Sequence, residues 1–510
     1  MKKILKKIMT LAMVVAMSAG VVGCNGEEGQ SGTEDVENSS DKNLISVVPV
    51  EQSEDFEISD EDKALYDSLF AIDSKIKVSI DMEEEELEKL QEDYEEYNEF
   101  NSKSPIYRKC NLTIDINGER YVIEEVGIRM KGNTSRRDFY DLDKGGVYNP
   151  LHFKFSFTQT FDNEEYYGED AKVWESEAAR QERKDRTFAS LKGFEMKWNR
   201  DTDGTYLREI YAYKMYRAYG VLAPSNALTQ CVLNSESMGI YRIAEPVDEI
   251  FIERYFDEED RGGDLYKCTW GSGPANYSTT YGMVGVEDED KGEFYTYDLK
   301  TNKKTSNNEL ITNFIQTIKA GNVTKEELET VVDMDNWLKF SAVSYFLGMP
   351  DDLRNNYNNH YIYFKASTNQ AVFIPYDCEI CLGINSWNPT GDYMTSSDPY
   401  SDWAYGNNSK QQNKLILHTL TKDGLYFDEY TAALDNVADS KWMDYTTFND
   451  MFSIVSSNYA NKAIPEIEFE RVDINTLEMN ISDTYGDNCY ENGNMTVEEY
   501  MQKILENYID

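Results

Sequence analysis

The amino-acid sequence predicts an α+β fold that is divided into two lobes. Strand-like segments of alternating polarity are interleaved with segments of helical periodicity along most of the chain. One strand carries Lys154 and precedes a long helix near Tyr206, and acidic residues such as Asp352 and Asp377 lie on loops after later strands. A lysine on an early strand and acids on later loops favour a cleft between two lobes.

The first 23 residues predict a lipoprotein signal peptide. A positive segment from Met1 to Lys7 precedes an apolar stretch from Ile8 to Met17, and small residues then lead to Cys24. The apolar stretch is shorter than the roughly 20 residues that a membrane-spanning helix needs. We therefore expect cleavage before Cys24, lipid on its sulfur, and an exported protein that is anchored to the outer face of the bacterial cell membrane.

Residues 24–62 predict a disordered acidic tether, since they are rich in Glu, Asp, Ser and Gly and show no apolar periodicity. From residue 63, aromatic and aliphatic residues return at a density that can bury a core. We divide this part into a domain over residues 63–420 and a C-terminal extension over residues 421–510. In the extension, Tyr445 to Asn461 and Val497 to Tyr508 are typical of helices that pack on the domain.

The charge of the chain excludes some partners. It contains 94 Asp plus Glu and 50 Lys plus Arg, which gives a net charge of −44. We expect neither nucleic acid nor an anionic lipid surface to bind the folded body, and membrane attachment to occur through the lipid only. The acidic surface could recognise basic protein substrates, but a solvated surface that keeps an extracellular protein soluble is the interpretation we favour.

Cysteine usage argues against a disulfide scaffold, and histidine usage argues against two classes of hydrolase. Seven cysteines, one of them assigned to lipid, are too few for a disulfide scaffold. If Cys378 and Cys381 lie on a strand, their Cα atoms are about 10 Å apart, which is beyond disulfide reach. The three histidines form no HExxH motif, and there is no GxSxG motif, so neither a zinc hydrolase nor a serine hydrolase is indicated.

The first elements of the domain lead to a turn that is suited to phosphate. The segment from Lys75 to Ile80 predicts a strand and the segment from Glu83 to Tyr97 a helix, and Asn117-Gly118 predicts a tight hairpin. The second strand of this hairpin leads into the segment from Arg129 to Arg136, which holds cations, a glycine and hydroxyl groups. These groups are what a phosphate-binding turn needs, although a polar turn with solvated arginines has the same composition.

Further segments follow in a defined order. The sequence from His152 to Phe157 alternates as a strand around Lys154, and the aromatic periodicity from Tyr206 to Tyr216 predicts a helix. The stretch from Asn234 to Glu245 predicts a hairpin.

At this point the chain resembles the CotH (spore-coat protein H) kinase family. The segments that carry the resemblance are Arg129-Met130-Lys131-Gly132-Asn133-Thr134-Ser135, the strand with Lys154, the helix with Leu207-Arg208-Glu209, the hairpin from Gly239 to Glu245, the strand Gly263-Asp264-Leu265-Tyr266-Lys267 and the helix Met334 to Phe340. The resemblance spans roughly residues 75–420. It implies a kinase-like form of the two-lobed fold, with ATP in the cleft.

The resemblance also implies roles for residues on two later loops. Asp352 is the expected catalytic acid that orients or deprotonates the acceptor hydroxyl, and Asp351 is the alternative. Asp377 is the expected metal-binding carboxylate. Asn359 and Glu379 join it as metal-site residues, and Asn358 is a contact on the nucleotide side.

The remaining implied residues belong to the nucleotide. Lys154 is expected to contact the α and β phosphates with Glu209 as its ion-pair partner, while a strand-edge lysine and a helix N-terminal glutamate are the structural alternative. Glu245 is expected beside the adenine, chiefly through its backbone. Arg129, Lys131 and Ser135 complete the predicted nucleotide site.

The sequence departs from the family pattern at two places. The usual Pro-Trp-Asp-x-Asp is Pro375-Tyr376-Asp377-Cys378-Glu379 here, and Arg354 and Asn358 replace histidines that many members have. Glutamate at 379 keeps a carboxylate but lengthens its reach. The missing histidines leave the nucleotide contacts open.

The function implied is that of an atypical protein kinase, which uses ATP with Mg²⁺ or Mn²⁺ and acts on Ser or Thr of a surface or secreted protein. Two alternatives remain open. One is a catalytically inactive surface module that binds a protein or polysaccharide partner, since aromatic faces stack on sugars. The other is a solute-binding lipoprotein, which would not require acids at both Asp352 and Asp377.

Overall fold

The computed structural model describes residues 49–509 with the exception of 100–102, 133–135, 142–146, 199–202, 204, 272, 279–285, 289–291, 385–393, 402–412 and 460–494. The predicted signal peptide, most of the predicted tether, Cys24 and Ser135 lie outside the described residues.

Fifteen strands and thirteen α-helices are defined in this part of the chain. The strands are β1 (Ile76–Asp81), β2 (Arg108–Ile116), β3 (Glu119–Lys131), β4 (Tyr140–Asp141), β5 (Val147–Tyr148), β6 (His152–Ser156), β7 (Glu195–Trp198), β8 (Asn226–Leu233), β9 (Glu236–Ala244), β10 (Leu265–Cys268), β11 (Val286–Asp288), β12 (Gly292–Phe294), β13 (Tyr297–Leu299), β14 (His360–Phe364) and β15 (Ala371–Pro375). The helices are α1 (Asp60–Phe70), α2 (Glu84–Glu99), α3 (Glu164–Tyr167), α4 (Glu177–Lys184), α5 (Arg208–Ala218), α6 (Glu249–Tyr255), α7 (Glu309–Ile318), α8 (Lys325–Glu329), α9 (Met334–Leu347), α10 (Lys414–Thr419), α11 (Phe427–Ala438), α12 (Tyr445–Tyr459) and α13 (Val497–Ile509).

Seven strands close into a barrel in the order β1-β2-β3-β6-β7-β9-β8. The predicted hairpin between β2 and β3 is confirmed, and its turn residues Asn117 and Gly118 have φ values of 53° and 96°, as a type I′ turn requires. The barrel closes where β1 pairs with β8 in parallel, with Lys77 opposite Gln230. Alternate residues such as Val78 and Ile80 are fully buried, so the barrel is filled by apolar side chains.

The predicted two-lobed kinase-like fold is therefore wrong. Several strands and helices were predicted, among them β1, β2, β3, β6 and α5, but the pairing of the strands gives a closed barrel joined to a small sheet and helices. The deciding contact is the β1–β8 pair, which joins segments about 150 residues apart. Local periodicity specifies which face of a strand is buried and carries no signal for so distant a partner.

A second sheet, in the order β13-β10-β14-β15, lies against α9. Strands β14 and β15 are buried on both faces, because all five residues of each strand are buried. The chain leaves β15 in a turn that contains Cys378 and Cys381, both buried and both free thiols. The strand geometry that the sequence analysis assumed for this pair does not apply here.

Segments at both ends of the described chain are bonded to this body. The backbone N–H of Val50 donates to the carbonyl of Arg217, and that of Ser53 donates to the carbonyl of Arg254, so residues assigned to the tether contact the domain. The two helices predicted in the extension are confirmed as α12 and α13. None of the helices in the described ranges has the length and apolarity needed to cross a bilayer.

Gly263, within the motif that precedes β10, is held against β14. A Cβ atom at this position would overlap the carbonyl oxygen of Phe364. We expect Gly263→Ala to lower the free energy of unfolding by about 1–3 kcal/mol because the second sheet must shift to admit the methyl group. Urea unfolding checks this, with Gly273→Ala as the control, since a Cβ there meets nothing within 4 Å. Equal effects of the two substitutions would contradict the interpretation.

Candidate active site

Strand register brings charged side chains together on one face of the barrel wall. Lys154 of β6 lies opposite Arg129 of β3 and Glu195 of β7. One step along, Lys197 of β7 lies opposite Arg242 of β9. The residues between them, which alternate to the other face and fill the apolar core, are Met130, Phe153, Met196 and Ile243.

Lys197 is the centre of this face. Its Nζ lies 2.9 Å from Oε1 of Glu209 on α5 and 2.5 Å from Oδ1 of Asp377, which follows β15. Burial opposes the charge of Lys197, but the carboxylates of Asp377 and Glu209 outweigh it and raise the lysine pKa. Burial alone would raise the pKa of Asp377, but the positive charges of Lys197 and Lys131 lower it. Both groups are therefore held in their charged forms.

Glu209 was predicted correctly as an ion-pair residue, but its partner is Lys197 instead of Lys154. Its Oε1 also accepts a hydrogen bond of 3.0 Å from the Tyr213 hydroxyl, and its Oε2 lies 2.8 Å from Arg242 Nε. Lys197 was not predicted, because the resemblance assigned the phosphate lysine to Lys154 on the preceding strand. The available signal was the alternation of Glu195 and Lys197 just before the helix that carries Glu209.

Three lysine ammonium groups lie around the ring of Tyr376. The Nζ atoms of Lys267, Lys197 and Lys131 lie 3.9, 4.9 and 5.3 Å from its ring centroid. Lys131 also donates a hydrogen bond of 2.7 Å to the Tyr376 hydroxyl and forms an ion pair with Glu195. Cation–π contacts of this kind offset only part of the repulsion between like charges.

Of the three lysines around Tyr376, Lys131 and Lys197 are paired with carboxylates, whereas the described residues provide no ion pair for Lys267. Burial lowers the pKa of Lys131, and the positive charge of Lys197 lowers it further, although Glu195 opposes both. Burial lowers the pKa of Lys267 as well, and Lys131 adds to this effect. An anion bound between these side chains would remove the repulsion, which is the electrostatic condition for a phosphate site.

The two adjacent aspartates have different surroundings. Asp352 is only 2% exposed, accepts hydrogen bonds from the Ser344 hydroxyl and from the backbone N–H of Asn355, and so stabilises the turn that it begins. Asp351 is half-buried and accepts side-chain amide bonds of 2.6, 3.0 and 2.9 Å. These come from Asn356, Asn358 and Asn359. Asp351, the alternative to Asp352 in the sequence analysis, is the more accessible of the two carboxylates.

Burial, together with the negative charge of Asp377, raises the pKa of Asp351 to about 7, against the hydrogen bonds from Asn356, Asn358 and Asn359. A carboxyl group with such a pKa can accept a proton more readily than an ordinary aspartate.

Asn359 connects the two acidic loops. Its side-chain amide donates to Asp351, and its backbone carbonyl accepts a 3.2 Å hydrogen bond from the N–H of Tyr376, the residue before Asp377. Asn359 thereby links the loop of Asp351 to the loop of Asp377. The resemblance implied a common metal site for Asn359 and Asp377. Asn358 supports this loop, because its amide nitrogen bonds Asp351 and its oxygen accepts the N–H of Trp270.

Two residues that were predicted to contact the metal or the nucleotide form ion pairs within the protein. Glu379 is buried and its Oε2 lies 3.0 Å from Nη2 of Arg242, so its carboxylate belongs to the ion-pair network behind Lys197. Glu245 is bonded by Arg254 at 3.0 Å and by the Tyr66 hydroxyl at 2.9 Å, and its backbone N–H donates to Ser225. These bonds leave Glu245 with a role in joining α1 and α6 to the barrel.

In the described part of the chain, no three side chains of His, Cys, Asp or Glu form a metal-binding group. A magnesium ion that is shared with nucleotide phosphates needs only one or two protein carboxylates, together with waters and phosphate oxygens. Asp377 and the carbonyl oxygen of the Asn359 side chain fit such a site by their donor chemistry.

Comparison with known proteins identifies one family. The sequence model of the CotH kinase protein family matches residues 128–441, which is more than half of the 510 residues. The match begins later than the resemblance deduced from the motifs and extends past residue 420. No curated protein matches the chain.

The charge imbalance around Tyr376 predicts an acid-sensitive contribution of Glu195. Burial would raise the pKa of this carboxyl, but Lys131, Lys154 and Lys267 lower it to about 2. A carboxyl whose pKa is lowered on folding stabilises the folded state above its unfolded pKa, and this stabilisation is lost as the pH falls towards the folded pKa. Glu195→Gln should therefore lower the free energy of unfolding by roughly 3 kcal/mol at pH 7.

The difference between Glu195→Gln and the parent protein should shrink as the pH falls from about 4.5 to about 2. Urea unfolding over this range measures it, with the exposed Glu119→Gln as the control. A difference that stays constant with pH would contradict the assignment of the charge interaction.

Proposed function

The chain belongs to the CotH kinase protein family, and on that premise we propose that it transfers the γ-phosphoryl group of ATP to a Ser or Thr hydroxyl of a surface or secreted protein. The family implies a kinase-like activity, with ATP and a divalent metal in general. The observation that carries the proposal is the buried Lys197, which is bonded both to Glu209 and to Asp377. Phosphoryl transfer depends on fixed cations and on a carboxylate at the metal, and the contact of Lys197 with Asp377 supports such an arrangement.

The phosphates would lie against the lysines around Tyr376. Lys131 and Lys267 approach the ring from β3 and β10, and Lys197 approaches it from β7. These strands belong to the barrel and to the second sheet, so a nucleotide bound here would contact both. Lys154, on the same face of the barrel wall, is close enough to Glu195 to act on its charge and remains a candidate for a phosphate contact.

Mg²⁺ or Mn²⁺ would be held by Asp377 and Asn359 with the phosphate oxygens, and it would neutralise the charge that develops in the transfer. The acceptor hydroxyl would lie at Asp351, which three asparagine amides orient. Asp351 would accept the hydroxyl proton as the oxygen attacks the γ phosphorus. Asp352 and Glu379 would act by holding the loop and the network of arginine and lysine in place.

The assay that tests this proposal combines the full chain, ATP labelled at the γ phosphate, either metal ion and a serine-rich acceptor protein. We expect metal-dependent label that falls about a hundredfold or more in Asp351→Asn and in Asp377→Asn. Asp351→Asn should keep the parent melting temperature within a few degrees, whereas Asp377→Asn should melt lower because it leaves Lys197 with Glu209 as its carboxylate partner. Label is therefore measured well below the melting temperature of each variant.

Two further variants make the assay decisive. Asp352→Asn should lower the melting temperature, because it weakens the bonds to Ser344 and Asn355, and the exposed Glu253→Gln should change neither property. Full transfer by Asp351→Asn with loss in a well-folded Asp352→Asn would reverse the assignment. No transfer and no ATP-dependent rise in melting temperature would favour the inactive binding module.

We further infer that the protein is exported and anchored by lipid on Cys24. The support is the positive segment, the short apolar stretch and the small residues before that cysteine. Cys24→Ala should move the protein from the detergent phase to the aqueous phase in a two-phase detergent extraction of cells, whereas Cys231→Ala should not. Equal partitioning of the parent and Cys24→Ala would contradict the anchor.

A further inference from the structure

Helix α13, in the C-terminal extension, reaches the proposed transfer site from outside the family match. It begins at Val497, whereas the match ends at residue 441. The sequence analysis expected this helix only to pack on the domain. Its residue Tyr500 is 1% exposed and lies against a glycine beside each of the two acidic loops, Gly348 and Gly383.

The first glycine sets the direction in which the chain leaves α9. Gly348 has a φ of 61°, follows the last residue of α9 and precedes Asp351 by three residues. A Cβ atom at this position would overlap the Tyr500 hydroxyl oxygen and lie 2.6 Å from the Cζ atom of the ring. The phenol therefore lies directly against the backbone that leads into the Asp351 loop.

The second glycine belongs to the turn that follows Asp377. Gly383 has a φ of 100°, and a Cβ atom there would lie 3.2 Å from the Cβ atom of Tyr500. The carbonyl of Gly383 accepts a hydrogen bond of 2.8 Å from the backbone N–H of Met495, just before α13. The start of this helix is therefore attached to the loop that carries the proposed metal ligand.

The two loops meet at the same point. The backbone N–H of Leu382 donates a hydrogen bond of 2.8 Å to the carbonyl of Leu347. Gly383 and Gly348 are the next residues along the chain, so Tyr500 packs against both segments beside the bond that joins them. Because protein interiors are close-packed and transmit displacements, a change in this side chain would move both loops.

Stability does not explain the hydroxyl group of Tyr500. This hydroxyl is buried and forms no hydrogen bond with the described residues. Leaving a buried hydroxyl unpaired costs about 1–3 kcal/mol, and phenylalanine would fill the space of the ring without that cost. The hydroxyl oxygen is the Tyr500 atom nearest to the Cβ position of Gly348.

We propose that Tyr500 is a positioning residue, which holds the Asp351 loop and the Asp377 loop at the separation that phosphoryl transfer needs. The C-terminal extension is then part of the active site. The consequence for catalysis rests on the proposed function, whereas the coupling of the two loops rests on the contacts at Gly348 and Gly383 alone. The acceptor oxygen and the phosphate must be closely aligned, and a displacement of about 1 Å can lower the rate about a hundredfold.

The first test measures backbone hydrogen exchange in the full chain without nucleotide. Tyr500→Leu removes the hydroxyl and most of the ring that lies against Gly348. We expect exchange to become about tenfold faster or more in residues 347–360 and 376–384 together, because both segments lose the same packing surface. Tyr500→Phe keeps the ring and should give a smaller change in the same two segments, so the test does not depend on the folding of the leucine variant.

Phe448→Leu is the matched control for this experiment. Phe448 of α12 is also 1% exposed, and its ring contacts Tyr211 and Tyr445. Its replacement removes a similar aromatic group from the extension and should lower the melting temperature. At matched stability it should leave the exchange of the two loops unchanged.

The second test compares transfer kinetics with stability. Tyr500→Phe should lower kcat about tenfold and leave KM for ATP unchanged, since the lysines around Tyr376 belong to other elements. Its melting temperature should equal or exceed that of the parent, because the unpaired hydroxyl is removed. A residue with only a structural role would lower the melting temperature or change neither property. Phe448→Leu, assayed well below its melting temperature, should keep the parent kcat.

Parent-like exchange of both loops in the Tyr500 variants, or a parent-like kcat in Tyr500→Phe, would overturn the proposal. The outcomes are distinct from those of the proposed function. If the parent shows neither transfer nor an ATP-dependent rise in melting temperature, the phosphotransfer is refuted, and the exchange experiment still decides whether Tyr500 couples the loops. Transfer by the parent at the same kcat as Tyr500→Phe would refute the positioning role alone.

Discussion

A single buried ammonium group, that of Lys197, holds the site together. It bonds a carboxylate of α5 and a carboxylate that follows β15, so a helix and the second sheet are both attached to the barrel wall at one point. Removing one partner of a buried ion pair leaves the other charge uncompensated, which costs several kcal/mol. The conformation of Asp377, with a φ of 57°, is maintained by this attachment.

The same contact explains how an acidic chain concentrates positive charge. Glu209 and Asp377 are engaged by Lys197, and Glu195 is engaged by Lys131, so few carboxylates are left to face Lys267 and Lys154. The aromatic face of Tyr376 lets the ammonium groups approach one another. The result is a group of closely spaced ammonium groups that a bound anion would stabilise.

The sequence was sufficient to locate the elements of the site and insufficient to choose between neighbours. Local motifs were enough to propose Glu209, Asp377 and Asn359 as candidate residues. The pairing of Glu209 with Lys197, and the fact that Asp352 is more buried than Asp351, depend on strand register and on the hydrogen bonds of a turn, which local motifs do not specify. The bonds of Glu245 to Arg254 and Tyr66 join distant segments that periodicity does not relate. Barrel closure was missed for the same reason.

The parallel pairing of β1 with β8 also bears on how the chain folds. Lys77 reaches its partner Gln230 only after the intervening segments are available, and contacts of such long sequence separation are slow to form. Until then the edge of β1 that faces away from β2 has unpaired N–H and C=O groups. A chain that emerges N-terminus first would hold β1 in this exposed state longest, so chaperone binding and aggregation during biogenesis should concentrate on β1 and its partner strand.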